Sequence, residues 1–151
     1  MITVMVDQRY ESEINPDLLE AAAMTVLELE EVNPDSELSI VVEGDERLQE
    51  LNLQFLGIDS PTDVLSFPAD EIDPDTNQPY IGDIILSYPR ALAQSQEAGE
   101  SINDELQLLV VHGALHLLGF DHASPEQKDI MWAAQKKALN RLGCKITHYP
   151  E

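Results

Sequence analysis

The stretch HGALHLLGFDH, residues 112–122, constrains this chain more than any other. Three of the four histidines, His112, His116 and His122, fall in it at offsets of zero, four and ten, within an otherwise apolar run. Two histidines four apart on a helix share a face, and their rings converge on one point. Gly119 follows His116 by three residues, where a helix tends to end on a left-handed residue. The chain then turns back and brings His122 from the following loop as a third ligand. Three neutral imidazoles leave the fourth position of a tetrahedral zinc open to water, as a catalytic site requires and a closed structural site does not. A single histidine on an apolar helix is ordinarily a hydrogen-bonded core residue. Three unpaired imidazoles would each carry a burial cost of about 1–3 kcal/mol, which coordination removes.

The ligand spacing also matches the metzincin protease motif H-E-x-x-H-x-x-G-x-x-H. Proteases use that Glu as the general base, but here the position is Gly113, which cannot accept a proton. Met131 invites comparison with a Met-turn, yet it falls inside the last expected helix and reads as core.

Around this stretch the pattern predicts strands over 2–6, 37–44, 63–68 and 81–87. A helix follows Asn15 as N-cap with Pro16 first, carrying Leu18, Leu19, Ala22, Ala23, Val26 and Leu29 as its apolar stripe. A second covers 45–57 with Leu48, Leu51 and Phe55 on one face, and a third runs from Pro89 to Ala98. The histidine helix starts after Ser101, and SPEQ at 124–127 opens a last helix that ends at Gly143. The segment ADEIDPDTNQPY, acidic and with two prolines, reads as a surface loop. The order β-α-β-α-β-β-α-α-α predicts a single α+β domain over 1–151. Its small mixed four-stranded sheet is covered by about five helices, with the metal site at the end of a central one.

No apolar run reaches the roughly 18–20 residues of a membrane span. MITVMVDQRY lacks the basic start and cleavage site of a secretory signal, and Cys144 has no second thiol to pair with. A cytoplasmic protein is the expectation. With 8 basic against 29 acidic residues the formal charge is −21, which repels polyanions at long range. The charge is uneven: Lys128, Lys136, Lys137, Arg141 and Lys145 all follow the histidines. They read either as a solvated helix face or as a local basic patch facing an RNA partner. His148, in the tail, reads as a surface residue.

With this motif the sequence resembles the YbeY family of bacterial endoribonucleases, also described as ribosomal RNA maturation factors. The match reads H-G-x-L-H-L-x-G-[FY]-D-H, filled by His112, Gly113, Leu115, His116, Leu117, Gly119, Phe120, Asp121 and His122. LNLQFLGIDSPTDVLSFP (51–68), GDIILS (82–87) and the methionine-bearing last helix agree in order. The resemblance implies metal-dependent cleavage of single-stranded RNA in ribosomal RNA processing and ribosome quality control, usually with zinc. It also implies ribosomal RNA and ribosomal subunits as partners, with no part for DNA. Family members typically carry an arginine just before G-x-D-x-P-T, whereas this chain has Leu56 there. Arg47, Arg90 and the basic residues of the last helix are its alternatives for that role.

The expected mechanism places zinc on His112, His116 and His122, where it lowers the pKa of a water towards about 7 and accepts a phosphate oxygen. Asp121 stands beside a ligand, either orienting an imidazole from behind or shaping the loop. Ser66, Arg47 and Arg90 are candidate residues of the substrate cleft, and Asp63 and Asp83 read as structural carboxylates. Two alternatives stay open: a zinc hydrolase of another class such as a peptidase, and a non-catalytic ribosome-assembly factor holding zinc for structure.

Overall fold

Leu38, Ile40 and Val42 are buried while Ser39, Val41 and Glu43 between them are half-exposed, the period-two signature of a strand with one face on a core. In the computed structural model, described here for residues 1–146, that strand is β2 (Glu37–Glu43). It lies parallel to β1 (Ile2–Val6) on one side and to β4 (Pro79–Ser87) on the other. β3 (Val64–Ile72) pairs antiparallel with β4 and closes the order β1-β2-β4-β3. The fold is therefore α+β with a mixed four-stranded sheet. His148 lies outside the described residues.

Five α-helices cover the sheet. α1 (Pro16–Leu29) begins as the sequence requires, with the Asn15 side chain accepting from the Asp17 N–H and Pro16 at the first position. α2 (Asp45–Leu56) packs Leu48 and Leu51 on Leu65, against one face of the sheet. α3 (Tyr88–Ala98) leads into α4 (Ile102–Leu117), and α5 (Pro125–Leu142) packs on α4. α4 is the axis of the main core: Leu106, Leu108, Leu109, Val110 and Val111 are wholly buried among α1, α3, α5 and the other sheet face. A helix apolar all round has to be enclosed, and this one is. Met131 is wholly buried, a core residue of α5.

The acidic segment between the third and fourth strands is not a plain loop. β3 continues through Ile72 and β4 starts at Pro79, so only residues 73–78 make the turn. β3 is an edge strand, where a proline such as Pro68 and exposed acids such as Asp70 and Glu71 are tolerated. The pairing register slips between Pro68 and Glu71. A 3-10 turn over Gln8–Glu13, unmarked by periodicity, joins β1 to α1. Cys144 is buried, its thiol donating to Gln107 Oε1 at 3.1 Å, and burial pushes its pKa up to about 12. No described helix is long and apolar enough to cross a membrane.

Candidate metal centre

α4 starts where Ser101 accepts the Asp104 N–H at 3.0 Å. It ends in a paired closure: Phe120 N–H bonds Leu115 O and Gly119 N–H bonds His116 O, both at 3.0 Å. Gly119 takes φ +96°, the left-handed conformation this closure demands and the one glycine adopts without strain. The turn folds residues 120–123 back over the end of α4. Asp121 Oδ1 then accepts the His122 backbone N–H at 2.7 Å, fixing the loop that carries the third imidazole.

His112, His116 and His122 come together. Their ring centres lie 4.6, 5.6 and 5.3 Å apart, and one nitrogen of each falls within 4.8 Å of the others. His112 Nε2 and His116 Nε2 are 3.1 Å apart. Two ligands of one four-coordinate cation, with bonds near 2.0–2.1 Å, stand about 3.3 Å from each other. His112 is 2% exposed and donates from Nδ1 to Gln135 Oε1 at 3.1 Å, so its Nε2 carries the lone pair. Burial, and then the neighbouring His116, hold the His112 pKa down to about 4. Burial also lowers that of His116, assisted by His122 and opposed by a backbone hydrogen bond at Phe120 and the charge of Asp121. Both rings are thus neutral at pH 7, the form that binds a metal. The donor set fits a borderline-soft divalent cation such as zinc.

Gly113 points away from this cluster, into the sheet. A Cβ there would stand 2.8 Å from Ile84 Cγ2 and 3.2 Å from Ser66 Oγ. The position that holds the base in metzincins is here a point of close approach between helix and sheet. Ser66 Oγ donates to Gly113 O at 3.1 Å, tying β3 to α4 one residue after His112.

A cleft of about 270 Å³ opens beside the cluster, lined by Leu56, Val64, Ser66, Pro68, His112 and His116. Ser66 is among its lining residues. Leu56, 60% exposed, lines the same cleft. Arg47 and Arg90 are not among its lining residues. Arg47 pairs with Glu50 at 3.1 Å and borders a separate groove with Phe55, Phe67 and Asp83. Arg90 Nε stands 4.0 Å from Asp45 Oδ1. Asp63 accepts from Val64 N–H at 2.8 Å and from Gln94 at 3.3 Å, and burial raises its pKa. Asp83 accepts from the Tyr80 hydroxyl.

Two residues of the centre were missed by sequence reasoning. Gln135 is wholly buried behind His112, and Trp132 stacks on His122 with ring centres 5.6 Å apart and lies 5.8 Å from the His112 ring. Both come from α5. A buried-phase glutamine and tryptophan three apart was the available signal.

The chain is similar to known proteins over most of its length. The family model described as Endoribonuclease YbeY matches residues 5–143. A Dehalococcoides mccartyi protein named Endoribonuclease YbeY is 35% identical over 93% of this chain and 96% of its own. Relatives of the same name from a Mycobacterium species (40% identical, 84% of this chain and 76% of the relative) and a Thermoanaerobacter species (39%, 93% and 98%) also match. A solution structure of a Thermotoga maritima protein aligns with a TM-score of 0.63 at 28% identity, covering 94% of this chain and 89% of that one.

Proposed function

Because this chain belongs to the YbeY family of endoribonucleases, we propose that it is a metal-dependent endoribonuclease. Its substrate in this reading is single-stranded ribosomal RNA, cut during ribosomal RNA maturation and ribosome quality control in the cytoplasm, with ribosomal subunits as partners. One zinc ion per chain is held by His112, His116 and His122. The observation that carries the reading is the His112–His116 pair, with nitrogens 3.1 Å apart and the His112 tautomer set by Gln135. When bound, a divalent cation supplies Lewis acidity and positive charge toward a phosphodiester.

The chain's own groups do the rest. Gln135 holds the lone pair of His112 toward the ligand point, and Trp132 holds the plane of His122. Asp121 fixes the His122 loop through its backbone bond. The β3 wall, with Ser66, bounds the cleft in which the phosphodiester lies. The peptidase alternative lacks its base, since Gly113 faces the sheet. The exposed Leu56 in the cleft favours a second reading, a ribosome-assembly factor that binds metal without cutting RNA.

Metal analysis and cleavage of single-stranded ribosomal RNA, with wild type and His116→Ala side by side, test these readings. Cleavage that disappears together with the metal in His116→Ala is expected. A metal-loaded wild type that binds ribosomal subunits and leaves the RNA intact overturns the nuclease in favour of the second reading.

A further inference from the structure

The arginines that precede the histidines are all near carboxylates. Arg9 pairs with Asp7 and Glu46, Arg47 with Glu50, and Arg90 lies 4.0 Å from Asp45. The cations of α5 are different: among the described residues Lys128, Lys136, Lys137 and Arg141 form no ion pair, and all four are exposed. On a helix the partners within reach lie three and four residues away. For Lys128 these are Ser124, Pro125, Met131 and Trp132, and for Lys136 they are Trp132, Ala133, Leu139 and Asn140; none is acidic. Lys137 and Arg141 likewise have no acid three or four residues away, so in a chain of net charge −21 the α5 cations are where a polyanion meets positive charge not already paired.

Their position is as informative as their freedom. Lys128, Trp132 and Lys136 are spaced i, i+4, i+8 and so form one row along α5, about 12 Å from end to end along the axis. The middle member of that row stacks on the metal-site histidine His122. Lys137 and Arg141 belong to the next row round the helix, a turn of about 100° away. The cleft on the β3 side of the histidines is walled by Leu56, Val64, Leu65, Ser66 and Pro68, none of them a cation. The two sides of the centre therefore differ in charge, with no cation lining the β3 side and exposed lysines on the α5 side.

We propose that Lys128 and Lys136, flanking Trp132, form the phosphate-binding edge of the RNA site, so that the strand runs along α5 past the histidines. The proposal rests on the nuclease reading and deepens it: the cations that position substrate come from the last helix. Lys128 and Lys136 are positioning residues and leave the metal untouched.

The test measures binding of a fluorescein-labelled single-stranded oligouridylate to zinc-loaded protein by anisotropy across a salt series. Wild type is compared with Lys128→Gln/Lys136→Gln and with Lys137→Gln/Arg141→Gln, which removes the same charge from the neighbouring row. Glutamine matches lysine and arginine in helix propensity, so the fold is retained. The first double variant is expected to bind severalfold more weakly. The slope of log affinity on log salt should shrink by about 1.4, roughly 0.7 for each of two lost phosphate contacts. The second should stay near wild type, and zinc content should be equal in all three. For RNA cleavage, KM should rise in the first variant while kcat holds. Equal weakening in both double variants, or no weakening in the first, overturns the row while a wild type that binds and cuts RNA keeps the nuclease reading. A wild type that neither binds nor cuts overturns both.

Discussion

The buried ring of His112 donates from Nδ1 to the side-chain oxygen of Gln135 at 3.1 Å, across 23 residues of sequence. That bond selects one tautomer and turns the remaining nitrogen toward His116. α4 carries His112 and His116 and α5 carries the group that aims one of them, so the cluster's affinity for a metal would depend on how the two helices pack. Partners of this kind are worth about 10–100-fold in metal affinity.

Gln135→Leu is therefore expected to weaken zinc binding by about 10–100-fold, read by competition with a chromogenic chelator. The fold should survive. The Gln135 amide nitrogen is buried without a hydrogen-bond partner among the described residues, so its removal offsets part of the bond lost to His112. Unchanged zinc affinity would show that packing alone orients the His112 ring.

Gly113 sets the distance between the histidine helix and the sheet. Alanine raises helix propensity by about 1 kcal/mol, but its Cβ would stand 2.8 Å from Ile84 Cγ2, and Ile84 is itself wholly buried. Overpacking of this sort costs about 1–3 kcal/mol. Gly113→Ala should lower stability by about 1 kcal/mol in urea denaturation and reduce zinc affinity as α4 shifts. A variant more stable than wild type would mean the helix retreats from the sheet without penalty.

Leu56 lines the cleft and is largely exposed, so an arginine there projects toward the histidines without being buried. A charge-assisted bond to phosphate contributes about 1.5–3 kcal/mol. Leu56→Arg should raise kcat/KM on single-stranded RNA by at least about tenfold. Stability should hardly change, since Leu56 buries little. No gain would indicate that the phosphate does not pass this side of the cleft.

The histidine cluster was legible in the sequence because its parts are local. His112 and His116 are one helical turn apart, and Gly119 marks where the chain must double back to deliver His122. Ser101, Ser124 and Gly143 likewise announce helix ends by side-chain or φ chemistry that acts within four residues. What stayed hidden depends on long-range packing. Gln135 and Trp132 join the site only once α5 lies against α4, and their phase with Met131 and Leu139 marks a buried face without saying which element it meets. The outer half of the β3–β4 hairpin was missed for another reason. Its β3 residues, 70–72, are exposed on an edge strand, so no hydrophobic alternation was needed to hold them. Arg47 and Arg90 could be placed on elements, but which wall of the fold each would face could not be read from helical spacing alone.

His112 also makes the metal-free protein acid-sensitive. Its folded pKa is about 4 against an unfolded 6.5, so between those values the unfolded chain binds more protons. Stability contributed by the neutral buried ring is full above about pH 6.5 and is lost as the pH falls towards 4. The total is on the order of 3 kcal/mol. His116, shifted in the same direction by burial, adds to the loss. The 29 acidic residues work the other way, because their protonation at lower pH relieves repulsion. The informative quantity is therefore a difference. Chelator-treated wild type and His112→Gln are unfolded in urea at pH 7 and pH 5, and wild type should lose about 2 kcal/mol more than the variant over that interval. Equal losses would show that the ring takes up its proton in the folded state, by opening the α4–α5 contact that otherwise keeps it dry.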